Sequence, residues 1–79
     1  DTGIRMEVET TQPGIQLYTG NVLTDRTGKG GARYGKNGAL CLETQHFPNS
    51  MAHPEFPSVV LPRGVQYCQE TVYTFSVVK

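Results

Sequence analysis

This sequence has no excess of charge of either sign: seven lysine and arginine residues balance seven aspartate and glutamate residues. Nucleic acids and anionic membranes are bound through a clustered positive excess, so neither is an expected partner. The nearest approach to a basic cluster is Arg26, Lys29, Arg33 and Lys36. It is spread through a glycine-rich segment and reads as a solvated loop. No apolar run approaches the roughly 18 residues of a membrane span, and no charged-then-apolar leader opens the chain. A soluble, cytoplasmic protein without an export signal is the expectation. An initiator methionine is also missing and a strand pattern begins almost at once, which reads as a fragment, a processed product or a trimmed piece.

Reactive residues are scarce as well. Cys41 and Cys68 are the only cysteines, and they stand either as a single bridge or, in the plainer reading, as buried free thiols in a reducing compartment. No C-x-x-C or His-x-x-x-His pairing occurs, so a metal site has little support. Neither G-x-S-x-G nor a Cys–His nucleophile pair is present, which removes local support for acyl transfer. Helical periodicity is absent from every window, and there are no internal repeats.

What is present is strand. With 79 residues the chain is long enough for one small domain, taken as 1–79, and not for two. In "IRMEVET", Ile4, Met6 and Val8 alternate with Arg5, Glu7 and Glu9, the period of a strand with one apolar face. "TTQPG" supplies a turn through Pro13 and Gly14, and "IQLY" follows as a second strand. Its Ile15 and Leu17 lie opposite Gln16 and Tyr18, a polar-aromatic face that either meets solvent or lines a pocket. Thr24 to Gly38 reads as a long loop; a phosphate cradle at "GKGG" lacks both the spacing and a following helix.

"ALCLETQ" is the third strand. It is followed by a segment with Pro48, Pro54 and Pro57 that excludes a helix of any length. "SVVLPRGVQY" adds a short apolar run meeting a turn at Pro62 to Gly64. "ETVYTFSVV" closes the chain with the strongest strand signal, rich in aromatic and β-branched residues. The expected fold is all-β and mostly antiparallel, with about five strands and edges that need partners.

Glu43 is the acid in the third strand, and a lone strand glutamate is most often a surface residue. Its setting, anchored by Leu40 and Leu42 and followed by a proline-braced loop, suits a general base, because a carboxylate partly withdrawn from water holds a proton more readily. His46 falls about 10 Å further along an extended strand and on the opposite pleat face. It makes a poor acid–base dyad with Glu43 and reads as a loop histidine bonded to backbone. Gln16, Gln45, Tyr18 and Phe47 complete a set of planar hydrogen-bonding groups and aromatic rings suited to a neutral polyhydroxy ligand.

Three blocks, "TTQPGIQLYTGN" at 10–21, "KNGALCLETQHFPNS" at 36–50 and "HPEFPSVVLPRGVQY" at 53–67, resemble in order and spacing the C-terminal part of the aldose 1-epimerase (galactose mutarotase) family. The resemblance implies that the chain is the C-terminal piece of a larger antiparallel β-sandwich. It also implies a cofactor-free isomerase that interconverts the α and β anomers of aldohexoses such as galactose and glucose. In that family the glutamate of the "ETQ" block takes the anomeric hydroxyl proton while a histidine protonates the ring oxygen. Glu43 stands at the position of the base, and Gln16 at that of a substrate-binding glutamine.

The family's acid histidine, a second histidine, an arginine and a sugar-gripping aspartate all lie upstream of the matched region, and neither His46 nor His53 stands at their positions. Asn49 replaces an aspartate often found after "FP", and "LPRG" replaces a basic-Pro-Gly order. Two other readings stay open: a non-catalytic sugar-binding or strand-pairing module, or an inactive truncated product. The expected partners are an aldohexose substrate and either the N-terminal portion of the sandwich or another copy of the chain.

Overall fold

A computed structural model describes residues 3–79. Six strands run in the order β1 (Gly3–Thr10), β2 (Gly14–Tyr18), β3 (Arg26–Thr27), β4 (Arg33–Tyr34), β5 (Cys41–Gln45) and β6 (Thr71–Val78). They pair as three separate antiparallel ribbons, β1 with β6, β2 with β5 and β3 with β4. Among the described residues the only helical pieces are 3-10 turns at Lys29–Gly31 and Ser50–Ala52. The expected all-β, antiparallel architecture is what the structure contains.

The β1/β6 ribbon follows from alternation in both strands. Ile4, Met6 and Val8 stand opposite Val77, Phe75 and Tyr73, which gathers six apolar or aromatic side chains on one face. Arg5, Glu7 and Glu9 face the other way, with Ser76, Thr74 and Val72 across from them, and Arg5 pairs with Glu7. A one-residue slip would exchange the two faces, so this contrast sets the register.

At "TTQPG" the chain leaves one ribbon for the next. The Gln12 amide donates to Thr10 Oγ1 over 3.1 Å, a local turn that competes with strand continuation. Gln12 Nε2 donates to the Tyr67 hydroxyl over 2.7 Å, tying this corner to the C-terminal loop.

Two stretches differ from the sequence expectation. The segment read as a loop from Thr24 to Gly38 contains the β3/β4 hairpin, whose two-residue strands are too short to show an alternating pattern. Gly28 makes room there for the Tyr34 ring: a Cβ at Gly28 would fall 2.0 Å from Tyr34 Cε2. Val59 to Leu61, read as a short apolar run, pairs with no strand among the described residues. The turn after it does form, with the Val65 amide donating to Pro62 O over 3.1 Å and Gly64 at φ +84°. Glycine at the third turn position is what such a turn requires, so the Pro-Arg-Gly order preserves it.

No apolar side chain is fully buried among the described residues. Ile4 is 83% exposed and Phe75 65%, although both lie on the apolar face of their ribbon. The radius of gyration is 17.2 Å. A compact domain of this length has about 12 Å. The ribbons are formed, but the layer that covers their apolar faces is not supplied by these residues.

Candidate active site

The second ribbon carries the candidate residues Gln16 and Glu43. Its register places Gln16 directly across from Glu43, with Tyr18 opposite Cys41 on one side and Gly14 opposite Gln45 on the other. Residues two apart share a face, so Gly14, Gln16, Tyr18, Cys41, Glu43 and Gln45 project together. Ile15, Leu17, Leu42 and Thr44 form the reverse, largely aliphatic face. The two residues singled out from sequence, Glu43 and Gln16, are therefore immediate neighbours, with Cβ atoms about 5 Å apart as for any directly opposed pair. Both side chains are exposed, and Gln16 Nε2 donates to Leu17 O over 3.3 Å.

The mount is anchored from behind. Thr44 Oγ1 and Thr71 Oγ1 are 2.8 Å apart, and Thr71 Oγ1 also lies 3.0 Å from Thr10 Oγ1. This row of hydroxyls joins the β2/β5 ribbon to the end of the β1/β6 ribbon. At the far end of β2, Gly20 is buried, and its carbonyl accepts from the amides of Leu23 and Asn37 at 3.1 and 3.0 Å. Asn37 Nδ2 donates to Thr19 O over 2.9 Å, clasping the glycine-rich segment to the strand that bears Gln16.

Beyond β5 the proline-rich loop packs on its own aromatics. Phe47 and Phe56 meet edge to face with centroids 5.1 Å apart, and the His53 ring lies 4.9 Å from that of Phe56. Ser50 Oγ donates to Phe47 O, and Asn49 takes a left-handed conformation with φ 59°, which asparagine tolerates better than most residues. The aspartate-to-asparagine change noted in the sequence thus falls on a backbone position both residues suit.

The histidines do not join Glu43. His46, in the bend just past β5, is half-buried in an open cleft of 260 Å³ with Ser58 to Leu61 and Tyr67, and Glu43 does not line that cleft. Bonding to backbone was expected of it; no such bond to its ring is found among the described residues. His53 Nδ1 instead pairs with Glu55 Oε1 at 3.1 Å. Cys41 and Cys68 are free thiols, exposed rather than buried. Of the dispersed basic residues, Arg33 is engaged by Asp25 and Thr27.

One feature escaped the sequence reading. A Cβ on Gly14 would come 2.9 Å from Phe47 Cε1 and 3.0 Å from Cδ1, so the Phe47 ring rests by that edge on the same face as Gln16 and Glu43. A glycine opening a strand, two positions before Gln16, was the available signal.

Fold and site together define an antiparallel β chain that mounts a carboxylate, an amide and an aromatic ring side by side on one ribbon face. Residues 1–74 match the family model described as aldose 1-epimerase, and the chain belongs to that family. It is similar to galactose mutarotase of Sus scrofa, with 51% identity over 77 residues that cover 96% of this chain and 22% of that protein. The same protein of Homo sapiens shows 48% identity over the same shares, and aldose 1-epimerase of Escherichia coli K12 shows 35% over 95% and 22%. The chain thus spans about a fifth of the length of the curated relatives it matches.

Proposed function

We propose that this chain is the C-terminal, base-bearing part of an aldose 1-epimerase that interconverts the α and β anomers of aldohexoses such as galactose and glucose. The observation that carries this reading is the register of β2 against β5, which sets Gln16 opposite Glu43 on an open face, in a chain that belongs to the family. Glu43 accepts the proton of the anomeric hydroxyl as the bond between C1 and the ring oxygen breaks, and an acid delivers a proton to that oxygen. The open-chain aldehyde rotates about C1–C2. The regained hydroxyl then returns its proton to the conjugate base of that acid and adds to the other face of the carbonyl, while Glu43 gives its proton back to the carbonyl oxygen. Gln16 holds a sugar hydroxyl by hydrogen bonding, next to the reacting carbon.

The acid comes from the remainder of a family-length chain, because the family resemblance places the acid histidine upstream of the matched region and His46 and His53 line other clefts than the Gln16–Glu43 face. That remainder also covers the exposed apolar faces of the ribbons. A second reading, a strand-pairing module without catalysis, is favoured by the same uncovered faces.

The decisive experiment is a chimera in which this chain replaces the matching 77 residues of the pig galactose mutarotase. Mutarotation of α-D-galactose is followed by polarimetry with and without Glu43→Gln. The expected result is catalysis that falls about 10²- to 10⁴-fold in the variant, the usual contribution of a general base. A folded chimera that is inactive, or one whose rate ignores Glu43→Gln, favours the strand-pairing module.

A further inference from the structure

We infer that the Phe47 ring is an aromatic wall of the sugar site, and that Gly14 is glycine so that this ring stands beside Gln16 and Glu43. The inference rests on the assignment of Glu43 and Gln16 above and adds the residues that orient the pyranose ring against them.

Three observations converge on it. Gly14 shares the face of Gln16 and Glu43, because it lies two residues before Gln16 and opposite Gln45 in the register. Directly over it stands Phe47, whose Cδ1–Cε1 edge leaves no room for a Cβ. The ring is braced by the edge-to-face contact with Phe56, which in turn lies against His53. A half-buried ring fixed by packing, rather than a swinging surface side chain, occupies one end of the polar face.

Two residues along a strand advance about 7 Å. That separation places the ring one sugar away from the Gln16–Glu43 pair. A pyranose presents hydroxyls around its rim and C–H groups on its faces. The Gln16–Glu43 pair satisfies the first, and an aromatic ring with its negative π-face suits the second. Ligand sites commonly combine apolar walls with a few placed polar groups in this way. With the wall fixed, the anomeric hydroxyl is presented to Glu43 in one orientation. Phe47 is accordingly a binding residue, and Gly14 a positioning residue acting through it.

The test uses the family-length chimera with Phe47→Leu, Phe47→Trp, Gly14→Ala, Phe47→Ala, and Gly14→Ala combined with Phe47→Ala. Leucine keeps apolar bulk for folding while removing the flat ring. The expected outcome is a KM raised roughly three- to tenfold in Phe47→Leu with kcat nearly unchanged, and restored in Phe47→Trp. Gly14→Ala raises KM in the same sense, but adds nothing in the Phe47→Ala background, because the ring it displaces is already gone. A reading independent of turnover comes from Phe47→Trp, whose emission changes saturably with galactose relative to the parent chimera, also when Glu43→Gln is present.

A folded Phe47→Leu chimera with unaltered KM overturns the wall, as does a Gly14→Ala effect that simply adds to that of Phe47→Ala. So does Phe47→Trp emission that ignores galactose. Loss of the base assignment is told apart from these results: it shows as a rate indifferent to Glu43→Gln, whatever KM does.

Discussion

Thr44 and Thr71, 27 residues apart in the chain, bring their hydroxyls to 2.8 Å, and this contact links the strand of the candidate base to the C-terminal strand. Both residues are half-buried. Removing one hydroxyl leaves its partner short of a hydrogen bond, which costs more than the net value of the bond itself. Thr71→Val in the family-length chimera is expected to lose about 1–2 kcal/mol of stability to urea. The Thr44→Val, Thr71→Val pair should lose less than the sum of the single changes, because the two hydroxyls serve each other. Strict additivity would mean that the hydroxyl contact couples nothing.

Gln16 faces Glu43 across the ribbon. If Gln16 holds a sugar hydroxyl as proposed, Gln16→Ala in the family-length chimera removes one neutral hydrogen bond, and KM is expected to rise about two- to tenfold with a smaller change in kcat. Gln16→Glu sets two carboxylates directly opposite each other, an arrangement that destabilises a ribbon. Its stability loss should shrink as salt is added, since both groups are exposed and screened. A loss independent of salt would place the cause elsewhere.

The two long strands were legible because alternation is local information: Ile4, Met6 and Val8 announce a face, as do Tyr73, Phe75 and Val77. The β3/β4 hairpin was not, since Arg26–Thr27 and Arg33–Tyr34 are two residues each and owe their pairing to glycines and to Tyr34 seated on Gly28. Pairing of β2 with β5 was hidden for another reason. The strands are separated by the whole clasped segment from Thr19 to Leu40, and non-local register leaves no trace in either strand alone. Glu43 stood out as an acid in an apolar strand and Gln16 as one of several planar groups, the family resemblance supplied the roles, and only the register makes the two neighbours. Phe47 over Gly14 needed coordinates, because it depends on how the proline loop folds back.

Asn37 offers a separation of side chain from backbone. It sits at φ 59° and donates through Nδ2 to Thr19 O. Asn37→Gly keeps the left-handed conformation without strain and loses only the side-chain bond, a cost of about 1 kcal/mol. Asn37→Ala loses the bond and adds the left-handed penalty of about 1–2 kcal/mol. The order of thermal midpoints in the chimera should be parent, then glycine, then alanine. Equal midpoints for the two variants would mean that the backbone there relaxes away from its positive φ.

The uncovered apolar faces set the last expectation. Hydrophobic burial is the main favourable term in folding, and no apolar side chain among the described residues is fully buried. Ribbon hydrogen bonds alone do not offset chain entropy, and two-stranded ribbons are marginal in water. Expressed by itself, the 79-residue chain should therefore melt without a cooperative transition and bind a hydrophobic dye such as ANS. Added to the complementary remainder of the pig galactose mutarotase, it should lose dye binding and gain a sharp transition as the ribbon faces are covered. Differential scanning calorimetry and dye fluorescence on the two samples measure this directly. A cooperative melt of the chain alone, at a midpoint independent of its concentration, would show instead that these residues pack a core of their own.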